Sequence, residues 1–305
     1  MASDQAATYI ALTSIRGREG ALLRTLGSLL RQSLQELEGL VHLHLFLSSD
    51  PYLLDRGFAR IPAALRRLQR PARPGRMGFA VHLVPNCGPY RKLLPLIQML
   101  PAEQRAADPL LITADDDTLY PPNWLQRLSA AERQWRCVVG FRGRQLMIDA
   151  ERRILPYGQW LKNDPCLLEP SLRTVPTGKD GIGYRLSYLH ASVLDLERAI
   201  ALAGHADDLW FKRSTLLMGV PSVLLHHSFE QQFPELTGRG RRVGGGVRLE
   251  EDSSLFLALN KTGGNDRVMA RLDQDLRREH ALDLVSLMQE PDAGGGLITR
   301  GAWRG

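Results

Sequence analysis

Short apolar runs of strand length alternate, in the first half of the chain, with stretches in which apolar residues recur at helical spacing. Strands are predicted over residues 9–15, 41–47 and 79–84, and helical spacing follows the first of them at residues 21–30. A further apolar run, residues 109–114, lies between a proline and a group of acids. This alternation is typical of βαβ units. It predicts an α/β fold of Rossmann-like type, with a mostly parallel central sheet flanked by helices.

The second half is less regular. Residues 142–188 are rich in proline, glycine and aromatic residues, which is typical of segments that shape a substrate cleft. Residues 237–246 are rich in glycine and arginine and are predicted to be mobile, and residues 291–305 are predicted to be a frayed tail. Helices are predicted over 93–100, 123–135, 192–203, 207–218 and 265–288, and strands over 137–141 and 221–225.

Composition indicates an ordinary globular protein, because 44% of the 305 residues are hydrophobic and 24% are charged. The three cysteines, Cys87, Cys137 and Cys166, have neither the spacing of a disulfide framework nor that of a metal knuckle. The N-terminus lacks the basic and apolar segments of a secretory signal, and no apolar run approaches the roughly 20 residues of a membrane span. We therefore expect a cytoplasmic protein.

The net charge of +6 comes almost wholly from arginine. Its basic residues are scattered and are not interleaved with aromatic residues, so we expect no nucleic-acid partner. Two denser basic segments, residues 66–76 and 239–242, are candidates for contact with phosphates or with a membrane surface. Peripheral membrane association is the hypothesis that follows from them.

Three aspartates, Asp115, Asp116 and Asp117, directly follow the apolar run at residues 109–114. Two carboxylates one residue apart can both reach a hard cation that bridges phosphate oxygens. The alternative is a solvated turn that caps the helix after Pro121. Burial of three acids without a counter-ion is costly, so the run is either exposed or holds a metal.

A second acidic pair, Asp207-Asp208, stands at the start of a predicted helix, just before Trp210. Acids at this position usually cap the helix, but one of the two could instead deprotonate a hydroxyl group as a general base. His226 follows the last predicted strand together with a second histidine. It is a candidate metal ligand, and the alternative is a structural histidine pair.

Anion binding is indicated at Arg91 and Lys92, which lie between a predicted strand and the start of a helix. The alternative is a Gly-Pro turn with solvated cations. The loop at residues 177–183 either closes over a sugar or merely connects two elements. It lacks the spacing of a Walker phosphate-binding loop.

In the order of these motifs, residues 8–225 resemble bacterial GT-A nucleotide-sugar glycosyltransferases. The motifs are, in chain order, the turn at Asp50, Asn86-x-Gly-Pro-x-x-Lys92, the apolar run ending in Asp115-Asp116-Asp117, Pro-Pro-x-Trp124, the Gly181-Ile-Gly183 loop and Asp207-Asp208-x-Trp210.

The resemblance implies a GT-A fold and the metal-dependent transfer of a sugar, with inversion, from a nucleotide-diphosphate sugar to a glycan or another hydroxyl acceptor. Uridine diphosphate is the family's default carrier. Mn²⁺ or Mg²⁺ is expected at Asp115 and Asp117, and His226 is the further candidate ligand from its position after the last predicted strand. Asp208 is the expected base, but related enzymes commonly have Glu-Asp at this helix start, so Asp207 stays the alternative. Expected donor contacts are Thr13, Arg16, Asp50, Arg91, Lys92, Asp115 and Asp116, and expected acceptor or sugar contacts are Gly181, Gly183 and Trp210.

The resemblance also divides the chain. Residues 1–235 are expected to form the catalytic domain, with the nucleotide-sugar-binding part at about 8–120 and the acceptor part at about 121–235. Residues 236–305 add the glycine- and arginine-rich segment, a helix and the tail.

Two other function classes stay open. A phosphohydrolase of the haloacid dehalogenase kind would use Asp115, Lys179 and the acidic pair at 207–208, but that family carries its aspartates on the first strand. A non-catalytic module that binds nucleotide sugars or glycans would keep the fold without turnover.

Overall fold

The strands of the first half lie close to the positions that the hydrophobic pattern predicts. A computed structural model describes residues 7–37, 39–236, 241–243, 246–248 and 264–289, with residues 241–243 and 246–248 described by their backbone alone. The strands are β1 (Thr8–Thr13), β2 (Val41–Leu47), β3 (Gly78–Leu83), β4 (Leu110–Ala114), β5 (Val138–Gly140), β6 (Gly143–Gln145), β7 (Thr174–Pro176), β8 (Ile182–Arg185), β9 (Ser222–Leu224), β10 (Arg241–Val243) and β11 (Gly246–Arg248). The helices are α1 (Glu19–Leu29), α2 (Ala63–Leu68), α3 (Leu94–Met99), α4 (Ala102–Ala106), α5 (Trp124–Trp135), α6 (Leu196–Ala203), α7 (Asp207–Leu217), α8 (Gly264–His280) and α9 (Leu284–Leu287).

A seven-stranded sheet has the order β3-β2-β1-β4-β8-β5-β9. β1 pairs in parallel with both β2 and β4, so Ile10 lies between Leu43 and Ile112. β8 runs antiparallel to its neighbours β4 and β5. The carboxyl ends of β1 to β4 therefore share one edge of the sheet, and the prediction of a mostly parallel α/β fold is confirmed.

Helices cover both faces of this sheet, and successive side chains of β1 point alternately to one face and the other. Ile10 and Leu12 point into a core with α1 and α5. Tyr9 and Ala11 point into a second core with α3, α6, α7, α8 and α9. Because both faces are buried, the central strands are almost continuously apolar rather than strictly alternating.

The predicted helix at residues 265–288 is divided in two. α8 ends at His280, and Ala281 has a φ of 54°, a left-handed conformation that ends a helix. α9 then begins after Asp283, whose side chain accepts the Ser286 N–H at 2.6 Å. Both helices pack on the core that contains α6 and α7, so the described part of the C-terminal stretch adjoins the predicted catalytic domain.

The predicted helix at residues 192–203 begins later than expected. A 3₁₀ turn occupies Ala191–Leu194, and α6 follows it because the Asp195 side chain caps the Arg198 N–H at 3.1 Å. Residues 291–305 and most of the segment at 237–246 lie outside the described residues. Among those that are described, no helix combines the length and the apolar character needed to cross a bilayer.

Candidate functional site

A cleft of about 510 Å³ opens at the edge of the sheet where β1 and β4 end. In open α/β sheets, ligands bind outside the carboxyl ends of the strands. The side chains that line it and bear on its chemistry are Thr13, Ser14, Arg18, Asp55, Asn86, Arg91, Lys92, Asp115, Asp116, Asp117, Arg142, Tyr157, Lys179, Asp207, Asp208, Phe229, Glu235 and Asn265. The cleft thus brings together residues that lie up to about 250 positions apart in the chain.

The aspartate run turns into this cleft directly after β4. Asp116 is buried, accepts a hydrogen bond from the Ser14 hydroxyl and lies 2.9 Å from Arg18 Nη1. The second terminal nitrogen of Arg18 pairs with Asp117. Asp115 is fixed through its backbone, whose N–H donates to the Tyr120 hydroxyl at 2.8 Å. The run is therefore half buried, and the alternative of a solvated turn is not what the structure shows.

Burial and mutual repulsion make Asp115 and Asp116 reluctant to ionise. Burial, together with the charges of Asp117, Asp116 and Asp208, raises the pKa of Asp115 to about 7 against the opposing effect of Lys92. Burial raises the pKa of Asp116 to about 6, although Arg18 opposes this rise. One arginine does not neutralise three acids, so an added cation would relieve the repulsion.

Hard carboxylate oxygens that face a cleft are suitable ligands for Mn²⁺ or Mg²⁺. Asp115 and Asp117 fit such an ion as two ligands, provided that a bound phosphate or water completes its coordination. Across the described ranges, no three acidic, histidine or cysteine side chains are placed to hold a metal. His226 is not among the lining residues; its Nδ1 accepts the Ser228 N–H at 3.1 Å and its ring stacks on His227. The structure therefore does not bring His226 into the cleft with the aspartate run.

The acidic pair at the start of α7 lies on the other side of Lys92. Lys92 Nζ is 2.8 Å from Asp207 Oδ2 and 3.8 Å from Asp208 Oδ1. The Asp207 side chain is 9% exposed and that of Asp208 is 27% exposed. Burial and the charge of Asp207 raise the pKa of Asp208 to about 6, while Lys92 opposes the rise. Asp208 is thus the less neutralised and the more accessible of the two acids.

A glycine holds Asp208 in place. The backbone N–H of Gly178 donates to Asp208 Oδ2 at 3.0 Å. A Cβ atom at residue 178 would lie 2.5 Å from Lys92 Nζ and 3.2 Å from Asp208 Oδ1. A side chain here would displace the lysine, so glycine allows the loop to approach both groups closely.

Arg91 and Asp55 form a buried pair on the β1 and β2 side of the cleft. Arg91 Nη2 lies 2.8 Å from Asp55 Oδ2 and donates to the Ser14 carbonyl at 2.8 Å. Its Nε donates to the Thr13 hydroxyl at 2.6 Å. Asp55 also accepts the Gly57 N–H at 3.0 Å. These bonds lock the loops after β1 and β2 to each other.

Two predicted donor contacts are misplaced by a few residues. Arg16 is exposed and outside the lining, and its backbone N–H donates to Asp55 at 3.2 Å; Arg18, two residues onward, reaches the aspartates instead. Asp50 is also exposed and outside the lining, whereas Asp55 lies inside it. Thr13 and Lys92 do line the cleft, but Arg91 and Lys92 each pair with an acid of the protein rather than standing free for an anion.

The three predicted acceptor contacts are structural. Trp210 is buried in the core, where its Nε1 donates to the Val193 carbonyl at 3.0 Å. Gly181 has a φ of +103°, and a Cβ there would lie 2.6 Å from the Trp124 ring. Gly183 is inside β8, opposite Ile112. None of the three is among the lining residues of the described cleft.

Other residues line the cleft: Arg142, Tyr157, Phe229 and Asn265. Arg142 lies just before β6, and Asn265 is in the first turn of α8, which the sequence places in a separate C-terminal stretch. They come from irregular or distant segments, so hydrophobic periodicity gave no signal for them. The richness of residues 142–188 in aromatic residues pointed to the segment but not to particular positions.

No protein-family model matches the chain, and no curated protein matches it. Among solved structures, it is similar to S. aureus TarS 1-349, with 15% identity and a TM-score of 0.43 over 76% of this chain and 60% of that one. A structure of S. aureus TarS matches with 13% identity and a TM-score of 0.45 over 93% of this chain and 41% of that one. The chain therefore spans less than two thirds of either TarS structure.

A structure of TarS 1-349 in complex with UDP-GlcNAc matches with 13% identity and a TM-score of 0.41, over 90% of this chain and 73% of that one. The 2-C-methyl-D-erythritol 4-phosphate cytidylyltransferase of Thermus thermophilus matches with 13% identity and a TM-score of 0.38, over 76% of this chain and 93% of that one. Likenesses this distant assign neither a family nor an activity to the chain.

Proposed function

We propose that this chain is a GT-A-type glycosyltransferase that transfers a sugar from a nucleotide-diphosphate sugar to a hydroxyl group. The observation that carries the proposal is the meeting of the aspartate run, Lys92 and the acidic pair of α7 in one cleft. The charges of Lys92 and Asp208 both act on the pKa of Asp115, so the candidate metal ligand and the candidate base are close neighbours. Sugar transfer requires this proximity, because leaving group and nucleophile meet at one carbon.

On the donor side, Asp115 and Asp117 would hold Mn²⁺ or Mg²⁺ together with the diphosphate. The ion, when bound, neutralises negative charge on the departing diphosphate. Arg18 keeps Asp116 and Asp117 in position through its two ion pairs. Two carboxylates leave most of a cation's coordination sphere open. We therefore expect tight metal uptake only when a nucleotide diphosphate is present.

On the acceptor side, Asp208 is the better candidate for the base. Asp207 is held by Lys92 at 2.8 Å, whereas Asp208 keeps a more exposed side chain and a pKa raised to about 6. Asp208 takes the proton of the acceptor hydroxyl, whose oxygen attacks the anomeric carbon of the sugar. The bond from that carbon to the diphosphate breaks, and its electron pair leaves with the diphosphate. A single displacement of this kind inverts the anomeric configuration.

The direct test is release of nucleoside diphosphate from a panel of nucleotide sugars with and without Mn²⁺. UDP-sugars come first, including UDP-GlcNAc. We expect slow, Mn²⁺-stimulated hydrolysis of one donor and its acceleration by a hydroxyl acceptor. NMR of the product should show inversion at the anomeric carbon; retention would contradict the single displacement.

Assays of the same preparation distinguish the proposed transferase from a phosphohydrolase and from a binding module. Hydrolysis of p-nitrophenyl phosphate at a rate above that of any nucleotide sugar would indicate a phosphohydrolase. Donor binding with no turnover under any metal condition would indicate a binding module. A matched Asp208→Asn preparation controls for contaminating enzymes, because its turnover should fall in parallel with the assigned activity.

A further inference from the structure

The wall of the cleft beside Asp208 carries positive charge that forms no close ion pair within the described residues. Arg142, Tyr157 and Phe229 contribute to this wall, and Asn265 joins them from α8. Arg144 lies behind it, on β6. The proposed reaction does not use any of these five residues.

The guanidinium groups of Arg142 and Arg144 both lie over the ring of Phe229. Arg142 Cζ lies 4.0 Å and Arg144 Cζ 4.3 Å from the centroid of its ring, and Arg144 also lies 4.6 Å from that of Tyr157. In the parts of the chain that the structure describes, no carboxylate lies within 4.0 Å of either guanidinium. The Nε atoms of both arginines are buried without a hydrogen-bond partner.

Two half-buried like charges on one ring are unfavourable unless an anion joins them. Burial is the main cause that lowers the pKa of Arg142 and the charge of Arg144 adds to it, while the charges of Asp180 and Asp115 oppose this fall. The ring contacts offset part of this cost, because aromatic faces attract cations. Arg144 Nη1 donates to the Tyr157 carbonyl at 3.5 Å, but the two Nε–H groups have no acceptor and still require one.

Asn265 gives a second, independent indication of a ligand. The residue is 7% exposed, and its Oδ1 is buried without a hydrogen-bond partner although it lines the cleft. It lies in the first turn of α8, a 17-residue helix whose N-terminal end carries partial positive charge. The neighbouring Asp266 accepts the Tyr157 N–H at 2.6 Å and so fixes this end of the helix against the wall.

We propose that this wall binds an acceptor that carries a phosphate or carboxylate group, with Arg142 binding the anion and Asn265 accepting a hydrogen bond from an acceptor hydroxyl. The inference rests on the proposed function, since it names the acceptor class of the same site. The N-terminus of α8 also favours a negatively charged group. Tyr157 and Phe229 supply aromatic surface for the uncharged part of the acceptor.

The donor diphosphate is a second conceivable partner for Arg142. The charge of Arg142 acts on Asp208, the candidate base, and also on Asp115, the candidate metal ligand. We assign Arg142 to the acceptor because the donor side has an arginine of its own. The donor side already has Arg18 on Asp116 and Asp117. Measurement of donor and acceptor binding separately distinguishes the two.

The experiment uses the full chain saturated with Mn²⁺ and with whichever of UDP, GDP, ADP and dTDP binds most tightly. Ligand-observed NMR then measures the affinities for glucose 6-phosphate, glucuronate and glucose. We expect at least one of the two anions to bind about tenfold or more tightly than glucose, and Arg142→Gln to weaken that anion roughly ten- to hundredfold while leaving glucose and the nucleotide unchanged. Arg173→Gln, an exposed arginine outside the cleft, is the matched control and should change nothing.

Two further variants guard against misfolding. Arg142→Lys keeps the charge and should keep most of the anion affinity, and Asn265→Asp places a negative charge in the wall and should weaken anion binding. Equal affinities for glucose and both anions would overturn the proposal, as would loss of nucleotide affinity in Arg142→Gln. Arg142-dependent anion binding without binding of any nucleotide would instead contradict the proposed function and leave the anion subsite supported.

Discussion

Asp55 and Asp208 line the same cleft in opposite electrostatic states. Asp55 is 4% exposed, lies 2.8 Å from Arg91 and accepts a backbone N–H at 3.0 Å. Asp208 lies 3.8 Å from a lysine that is closer to Asp207, and its pKa is raised to about 6. The first is neutralised within the protein and fixes two loops. The second is left under-neutralised, which is typical of a group that takes part in proton transfer.

The largest expected effect follows from removing the carboxylate of Asp208. Asp208→Asn should slow sugar transfer about 10²- to 10⁴-fold, because loss of a general base typically costs that much. Donor and metal affinity should stay near native values, since the amide oxygen can still accept the Gly178 N–H. Steady-state kinetics together with donor titration measure both quantities.

Asp207→Asn is the matched control for this comparison. We expect a smaller rate loss, because Asp207 positions Lys92 rather than the substrate. If Asp207→Asn alone carried the rate loss, the base would be Asp207. If Asp208→Asn lost donor binding but kept turnover at saturating donor, Asp208 would be a binding group.

Breaking the ion pair between Arg91 and Asp55 should affect the stability of the fold rather than the rate of sugar transfer. Arg91→Met leaves the buried Asp55 carboxylate without its counter-ion and should lower the free energy of unfolding by about 3–5 kcal/mol. Urea denaturation measures the change. The double variant Arg91→Met/Asp55→Leu should recover much of the loss. No recovery would mean that the other bonds of the two residues, from Arg91 to Thr13 and Ser14 and from the Gly57 N–H to Asp55, outweigh the ion pair.

The smallest effect is a change of stability with pH in Asp208→Asn. The pKa of Asp208 is about 6 in the folded protein and about 3.9 for an unfolded aspartate. Between these values the folded protein retains a proton that the unfolded chain has lost, so stability falls as pH rises through this window. Relative to the native protein, Asp208→Asn should therefore gain thermal stability on going from pH 4 to pH 8.

Asp149→Asn provides a control of opposite sign. Hydrogen bonding to the Arg153 backbone is the main cause that lowers the pKa of Asp149, so its ionised form stabilises the fold. This variant should lose stability relative to the native protein as pH rises from acidic to neutral values. The same sign of change in both variants would contradict the assigned difference between these carboxylates.

The sequence predicted the parts of the site that stand on regular elements. The apolar run before Asp115 specifies a buried strand, and in a parallel sheet the residues that follow such a strand lie at the ligand-binding edge. Asp207 and Asp208 were found for a similar reason, since they begin a helix. A pattern with a fixed period locates such positions without knowledge of the rest of the fold.

The remaining residues depend on geometry that periodicity does not contain. Arg18 rather than Arg16 reaches the aspartates because the loop after β1 turns at Gly17, whose φ is 99°, just before α1 begins at Glu19. Trp210 shares a helix with Asp208, but it lies two residues farther on and faces the core near Val193. Asn265 reaches the cleft only because α8 packs back on the core that contains α6 and α7.

The proposed function depends most on Asp117 binding a divalent cation together with a nucleotide diphosphate. Titration calorimetry of UDP, GDP, ADP and dTDP, each with and without Mn²⁺, tests this directly on the native chain and on Asp117→Ala, with Asp149→Ala as control. The native chain and the control should bind one nucleotide more tightly with Mn²⁺, and Asp117→Ala should lose that Mn²⁺ dependence. If Asp117→Ala bound the nucleotide as tightly as the native chain and with the same dependence on Mn²⁺, the proposed metal site would be contradicted.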